Sequence, residues 1–240
     1  MPGGRGLLRR RTRFVGRPTG PTPVFPVLVP GFTRQSGFFG RFGQGGELKF
    51  FDQDIDDAVI AINGTIFLNG SAEATLLRIA QGTGESQRIG RKVTIRSINW
   101  RFNITLIGTT ALASTSDSVR IILYLDKQTN GAAAAITDIL ESDNFQSFNN
   151  LANKARFRTL MDRTYDMTTQ SGGGTITTTD GYGEVSINDT LFKKVNLPIE
   201  FNSTAGAIAE LRSNNINVLL LSSSGRCIFD SKMRLRYSDN

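Results

Sequence analysis

Val93-Thr94-Ile95-Arg96-Ser97-Ile98-Asn99-Trp100-Arg101-Phe102-Asn103-Ile104-Thr105-Leu106 is the longest strand pattern in the chain. Val93 and Ile95 share one parity; Ile98, Trp100, Phe102, Ile104 and Leu106 share the other. Side chains of a strand alternate between its two faces, so one buried face cannot change parity without an extra residue. A bulge is therefore expected near Arg96-Ser97. Trp100 belongs to the core, and Asn99, Arg101, Asn103 and Thr105 form the opposite, polar face.

Outward from this stretch the pattern repeats in shorter pieces. Glu47 to Asp52 reads as a strand. Val59–Ile62 and Thr65–Leu68 are short apolar runs closed by Asn63-Gly64 and Asn69-Gly70, the strongest short hairpin signal. Arg120 to Leu125 and Ile216 to Leu221 are continuous apolar runs, as in strands buried on both faces. Phe157 to Met167 is another strand. Val195, Leu197, Ile199 and Phe201 alternate with Lys194, Asn196, Pro198 and Glu200, and Pro198 suggests an edge or a strand facing solvent on its hydrogen-bonding side. Phe229, Ser231, Met233, Leu235 and Tyr237 form a core face whose reverse carries Lys232, Arg234 and Arg236. Residues 132–153 offer only short helical turns, and 168–183 is a Gly/Thr loop. About eight strands, long loops and no βαβ rhythm predict an all-β fold: one eight-stranded antiparallel jelly roll.

Charge divides the chain in two. Residues 1–46 hold eight arginines (Arg5, Arg9, Arg10, Arg11, Arg13, Arg17, Arg34 and Arg41), no lysine and no acid. Residues 47–240 keep the other 20 basic and all 21 acidic residues, for a net charge of −1. Six of the seven prolines also lie in the first part. Such a segment cannot bury enough apolar surface to fold alone, and fully extended it reaches roughly 150 Å. The expected organisation is an extended basic N-terminal arm, 1–46, on a body, 47–240. Arginines meeting phosphates release counterions, so the eight arginines are candidate nucleic-acid contacts. The interleaved Phe14, Phe25, Phe32, Phe38, Phe39 and Phe42 suit stacking with unpaired bases. Arg9-Arg10-Arg11-Thr12-Arg13 also matches a nuclear-localisation run. Lys232, Arg234 and Arg236 could extend an inner basic surface.

Several chemistries are excluded or disfavoured. No run approaches the roughly 18 apolar residues of a membrane helix, so no membrane partner is expected. There is no histidine and one cysteine, Cys227, which removes triads, Cys-His dyads, disulfides and multi-cysteine zinc sites. Asp52, Asp54 and Asp56 alternate like calcium ligands, but the EF-hand pattern fails at Asp57 and Asn63, and a surface acidic loop is the simpler reading. Gly82-Thr83-Gly84 lacks the ending of a phosphate loop. No catalytic residue and no cofactor are expected.

The segment from Gln81-Gly82 through Gln87-Arg88-Ile89-Gly90-Arg91-Lys92-Val93-Thr94-Ile95-Arg96-Ser97-Ile98 resembles one in capsid proteins of circular, Rep-encoding single-stranded DNA viruses, the circovirus-like group. The arginine-rich start, Lys49-Phe50-Phe51-Asp52 and the Arg120–Asp126 strand fall in a similar order. The resemblance implies a T=1 icosahedral shell of sixty copies and a packaged circular single-stranded DNA genome. It also implies a virion location with a nuclear phase, host import factors and a host attachment receptor. Two other readings compete. One is a coat protein of a small or satellite RNA virus with the same fold; the other is a β-sandwich lectin or receptor-binding module with a basic tail.

Overall fold

The computed structural model describes residues 47–66, 76–106, 115–129, 131–169 and 185–239. Among them are nine strands: β1 (Leu48–Val59), β2 (Thr65–Ile66), β3 (Lys92–Leu106), β4 (Thr115–Asp126), β5 (Phe157–Thr169), β6 (Val185–Phe201), β7 (Leu211–Ser213), β8 (Asn215–Ser222) and β9 (Cys227–Asp239). One four-residue helix, α1 (Ile136–Ile139), and two 3-10 turns complete the described elements. No helix among the described residues is long and apolar enough to cross a membrane.

The strands form two sheets in the orders β1-β9-β3-β6-β7 and β2-β8-β4-β5, with every named pairing antiparallel. Each sheet interleaves early and late strands. That is the eight-stranded jelly roll, with the three-residue β7 added beside the end of β6. The expected bulge is present. Against β9 the register shifts between Ile95 and Ser97 with Arg96 as the extra residue, while against β6 the surplus lies on β6, where Ile95 faces Leu197 and Ser97 faces Lys194. Ile95 and Ile98 consequently both point inward and are fully buried.

The main core lies between the sheets. Trp100 is fully buried, with Phe102 and Phe229 at ring separations of 4.8 and 5.9 Å. A second apolar cluster covers the other side of the four-stranded sheet. Ile122 and Tyr124 of β4 and Leu219 and Leu221 of β8 pack there under Ala134, Ile139 and Leu140. This explains the unbroken apolar runs of β4 and β8, which are buried on both faces. The covering connection, residues 127–156, is tied down by Arg156. Its Nε and Nη2 donate to Asp126 Oδ1 and Oδ2 at 3.0 and 2.8 Å, and its guanidinium stacks on Phe157.

Two expectations are corrected. Asn63-Gly64 makes a turn, but not a hairpin. The strand before it, β1, pairs with β9, while β2 after it pairs with β8, so the chain changes sheet there. Gly64 has φ +80°, and a Cβ on it would sit 3.1 Å from Ile136 Cδ1. The turn chemistry was right, but a local signal does not say which strand becomes the partner. In addition, β6 begins at Val185, ten residues before the alternation was recognised. Asp189 and Lys193 interrupt its inward row. Asp189 accepts a hydrogen bond from Tyr165 Oη at 2.5 Å and pairs with Arg163, and Lys193 Nζ donates to Leu160 O. The Asn69-Gly70 turn and most of the 168–183 loop lie outside the described residues.

The β8–β9 turn closes around a buried carboxylate. Asp117, 2% exposed, accepts hydrogen bonds from Ser222 Oγ, from the Ser223 backbone and hydroxyl, and from the backbone amides of Ser224 and Arg226. Burial alone would raise its pKa. The donors from Ser222, Arg226, Ser223 and Ser224 outweigh burial and bring it down to about 2.

Candidate nucleic-acid interface

The period-two alternation of four strands builds the outward face of the five-stranded sheet. Register puts Phe50, Arg236, Ser97 and Lys194 in one cross-strand row. Asp52, Arg234, Asn99 and Phe192 form the next, and Asp54, Lys232, Arg101 and Thr190 the third. The bulge adds Arg96, whose Nε donates to Ser238 Oγ at 3.2 Å and whose Nη1 donates to Asn196 Oδ1 at 2.6 Å.

Lys232, Arg234 and Arg236, the expected basic strand face, are all exposed here. Two of them have carboxylate neighbours. Arg234 Nε and Nη2 donate to Asp52 Oδ1 and Oδ2 at 2.6 and 2.5 Å, and Lys232 Nζ lies 3.6 Å from Asp54 Oδ2. Hydrogen bonds from Arg234, reinforced by its charge, hold the Asp52 carboxyl below its ordinary value against a smaller opposing effect of burial. Arg236 instead lies beside Phe50, its guanidinium carbon 5.9 Å from the ring centroid. A cation held against a carboxylate presents little net field to a distant phosphate. Arg96, Arg101, Lys194 and Arg236 have no carboxylate partner among the described residues.

Asp52, Asp54 and Asp56 do not gather. The first two face cations across the strand pair, and Asp56 lies where β1 shifts register against β9. No group of three or more His, Cys, Asp or Glu side chains among the described residues is placed to hold a metal ion. The arm arginines, Arg5, Arg9, Arg10, Arg11, Arg13, Arg17, Arg34 and Arg41, lie outside the described residues. The sequence reading passed over Arg96, Lys194 and Phe192 as surface contributors. Their signal was parity: each belongs to the outward side of a strand whose inward side was recognised or recognisable. What sequence could not show is that β6, β3, β9 and β1 are neighbours.

The segment Gln81–Ile98 has a structural task. Arg88 is fully buried and donates to the carbonyls of Ile79 at 3.0 Å, Gly90 at 2.7 Å and Ala205 at 3.3 Å, as well as to Ser203. Its guanidinium also lies 4.2 Å from the Phe201 ring centroid. Arg88 thus pins a glycine-rich loop against residues 201–205. Likeness in this segment concerns how the sandwich is packed, not what it carries.

Comparison with known proteins identifies the relatives. A family model described as satellite tobacco necrosis virus coat protein matches residues 58–240. The coat protein of Maize white line mosaic Satellite virus is 36% identical over 86 residues, 35% of this chain. That alignment spans 38% of the relative's length. These matches correct the circovirus-like resemblance, because they lead to satellite-virus coat proteins and not to capsids of circular single-stranded DNA viruses. The DNA genome followed from that resemblance and loses its support with it, and the matches give none to a nuclear phase or host import factors. With its match covering most of the jelly roll, the chain belongs to the satellite tobacco necrosis virus coat protein family.

Proposed function

We propose that this chain is the structural subunit of a small virus particle, that copies of it close into an icosahedral shell of sixty, and that the shell encloses an RNA genome. Family membership over residues 58–240 carries this reading. Charge supports it. A body of net −1 can be tiled against copies of itself without strong repulsion, while the segment before it carries +8. The arginines from Arg5 to Arg41 are the proposed anchors for the RNA backbone. Sixty such segments bring on the order of 480 positive charges into the particle, which neutralise part of the phosphate charge of a packaged genome. The role is structural rather than catalytic.

The test is to recover particles after expression, treat them with nuclease, image them and sequence what is protected. Closed shells holding RNA are expected. Protected DNA, or protein that stays monomeric across salt and pH in the presence of RNA, overturns the reading. Replacing Arg9, Arg10, Arg11 and Arg13 with Ala is expected to reduce the salt slope of RNA binding by about 3, at roughly 0.7 per lost contact on a single strand.

A further inference from the structure

The open face of the five-stranded sheet combines two features. Phe50 is 49% exposed and Phe192 is 63% exposed, on opposite edges of a face whose central rows are otherwise Asn, Ser, Thr and charged residues, with Leu48, Pro198 and Val59 towards its two ends. Around them stand Arg96, Arg101, Lys194 and Arg236. Lys194 and Arg236 flank Ser97 from either side, two strand spacings or about 10 Å apart. Phe192 lies one row from Lys194 and one row from Arg101's neighbour Thr190. Asn99, Arg101 and the two ion pairs Arg234–Asp52 and Lys232–Asp54 line a shallow depression of about 450 Å³ in the middle of the face, in which Arg101 is the cation without a carboxylate partner among the described residues. The positive region continues around the β6 edge, where Arg158, Lys193 and Lys194 line a second depression of about 440 Å³ that contains no carboxylate.

We infer that this face is a second binding platform for single-stranded RNA, separate from the basic segment 1–46. It grips phosphates with Arg96, Arg101, Lys194 and Arg236 and stacks unpaired bases on Phe192 and Phe50. The inference deepens the RNA-coat reading above and rests on it. Exposed rings beside unneutralised cations, on a rigid sheet, are what unpaired nucleotides require: a flat apolar surface for the base and a positive charge within reach of its phosphate. A duplex offers its phosphates but not its base faces, so the rings select the single strand. A second copy of this chain fits the face less well. A two-fold contact through it would set Arg96, Arg101, Lys194 and Arg236 against their own copies, and like charges across an interface are unfavourable.

The test uses the full-length chain and a labelled, unstructured RNA 20-mer, with the matching duplex as control. Binding is measured across a salt series. The combined variant Arg96→Gln, Arg101→Gln, Lys194→Gln, Arg236→Gln is expected to lower the log–log salt slope by about 3, at roughly 0.7 per contact. The pair Phe50→Ala and Phe192→Ala is expected to keep the slope and to weaken single-strand binding about 10-fold or more, leaving duplex binding unchanged. If the fourfold variant does not fold, Arg101→Gln with Lys194→Gln reads the same effect at about half the size. A wild-type slope in the charge variants, or wild-type single-strand affinity in the Phe50→Ala, Phe192→Ala pair, overturns the inference while leaving the RNA reading intact. Loss of shell formation without nucleic acid, at unchanged slope, also overturns it and marks the face as a protein contact. Failure of the wild-type chain to bind RNA at all defeats the RNA reading itself, and the platform falls with it.

Discussion

The two sheets of this jelly roll treat their outward faces in opposite ways. On the four-stranded sheet, the outward residues of β4 and β8 are apolar, and residues 127–156 fold over them. On the five-stranded sheet, the three central rows of β1, β9, β3 and β6 present charge, amide, hydroxyl and two phenyl rings, and none of their residues from β3 or β9 is apolar. Both faces belong to strands that turn their other side to the core, fully buried in β3 and β8 and only half-buried along the first part of β6. What the second side of a strand carries therefore separates architecture from surface chemistry. A strand apolar on both sides needs a cover, and a strand polar on one side leaves that side for a partner.

The contrast is sharpest for two arginines with the same bidentate geometry. Arg156 clasps Asp126, which is 2% exposed, under the cover of the four-stranded sheet, whereas Arg234 clasps Asp52 on the open face. Arg156→Ala leaves a buried carboxylate unpaired and is expected to cost about 3–5 kcal/mol in denaturant unfolding. Arg234→Ala is expected to leave the unfolding midpoint unchanged. Equal losses would erase the distinction between the faces. Next in size, Leu219→Ala removes a fully buried side chain beneath the cover and is expected to cost about 2–5 kcal/mol in the same measurement.

A smaller effect comes from the β8–β9 turn, where Asp117 titrates. Its folded pKa of about 2 lies below its ordinary value of 3.8. The ionised form therefore stabilises the fold above pH 3.8, and this contribution is lost as pH falls through about 2. It amounts to about 2 kcal/mol. Asp117→Asn is expected to lose stability at neutral pH and to show a flatter acid unfolding profile between pH 4 and 2. An unchanged profile would show that the hydrogen bonds around Asp117 do not hold the turn. Smallest of all, Asn99→Ala on the open face is expected to change stability by less than about 0.5 kcal/mol.

Most of the architecture was legible before any coordinates. The double-sided burial of β4 and β8 followed from unbroken apolar runs, and the bulge at Arg96 followed from one change of parity. Two things were not legible. The sheet change at Asn63-Gly64 depends on which distant strands accept β1 and β2, and no local pattern carries that. The open face draws its residues from positions 50, 96, 101, 192, 194 and 236, which only strand order assembles. The loop around Arg88 misled for the same reason. Its residues are recognisable because they solve a packing problem, and a packing solution says nothing about whether the cargo is DNA or RNA.

The spare residue at Arg96 has one more consequence. Removing it would put Val93 and Ile95 into unbroken alternation with Ile98 and Trp100 and make the ladder with β9 regular, but it would leave β6 two surplus residues opposite the gap instead of one. Position 96 thus works as punctuation rather than as vocabulary: it keeps neighbouring strands of unequal length in step. A chimaera that swaps this strand with that of a related coat keeps both ladders only if the comma and its counterpart in β6 travel together.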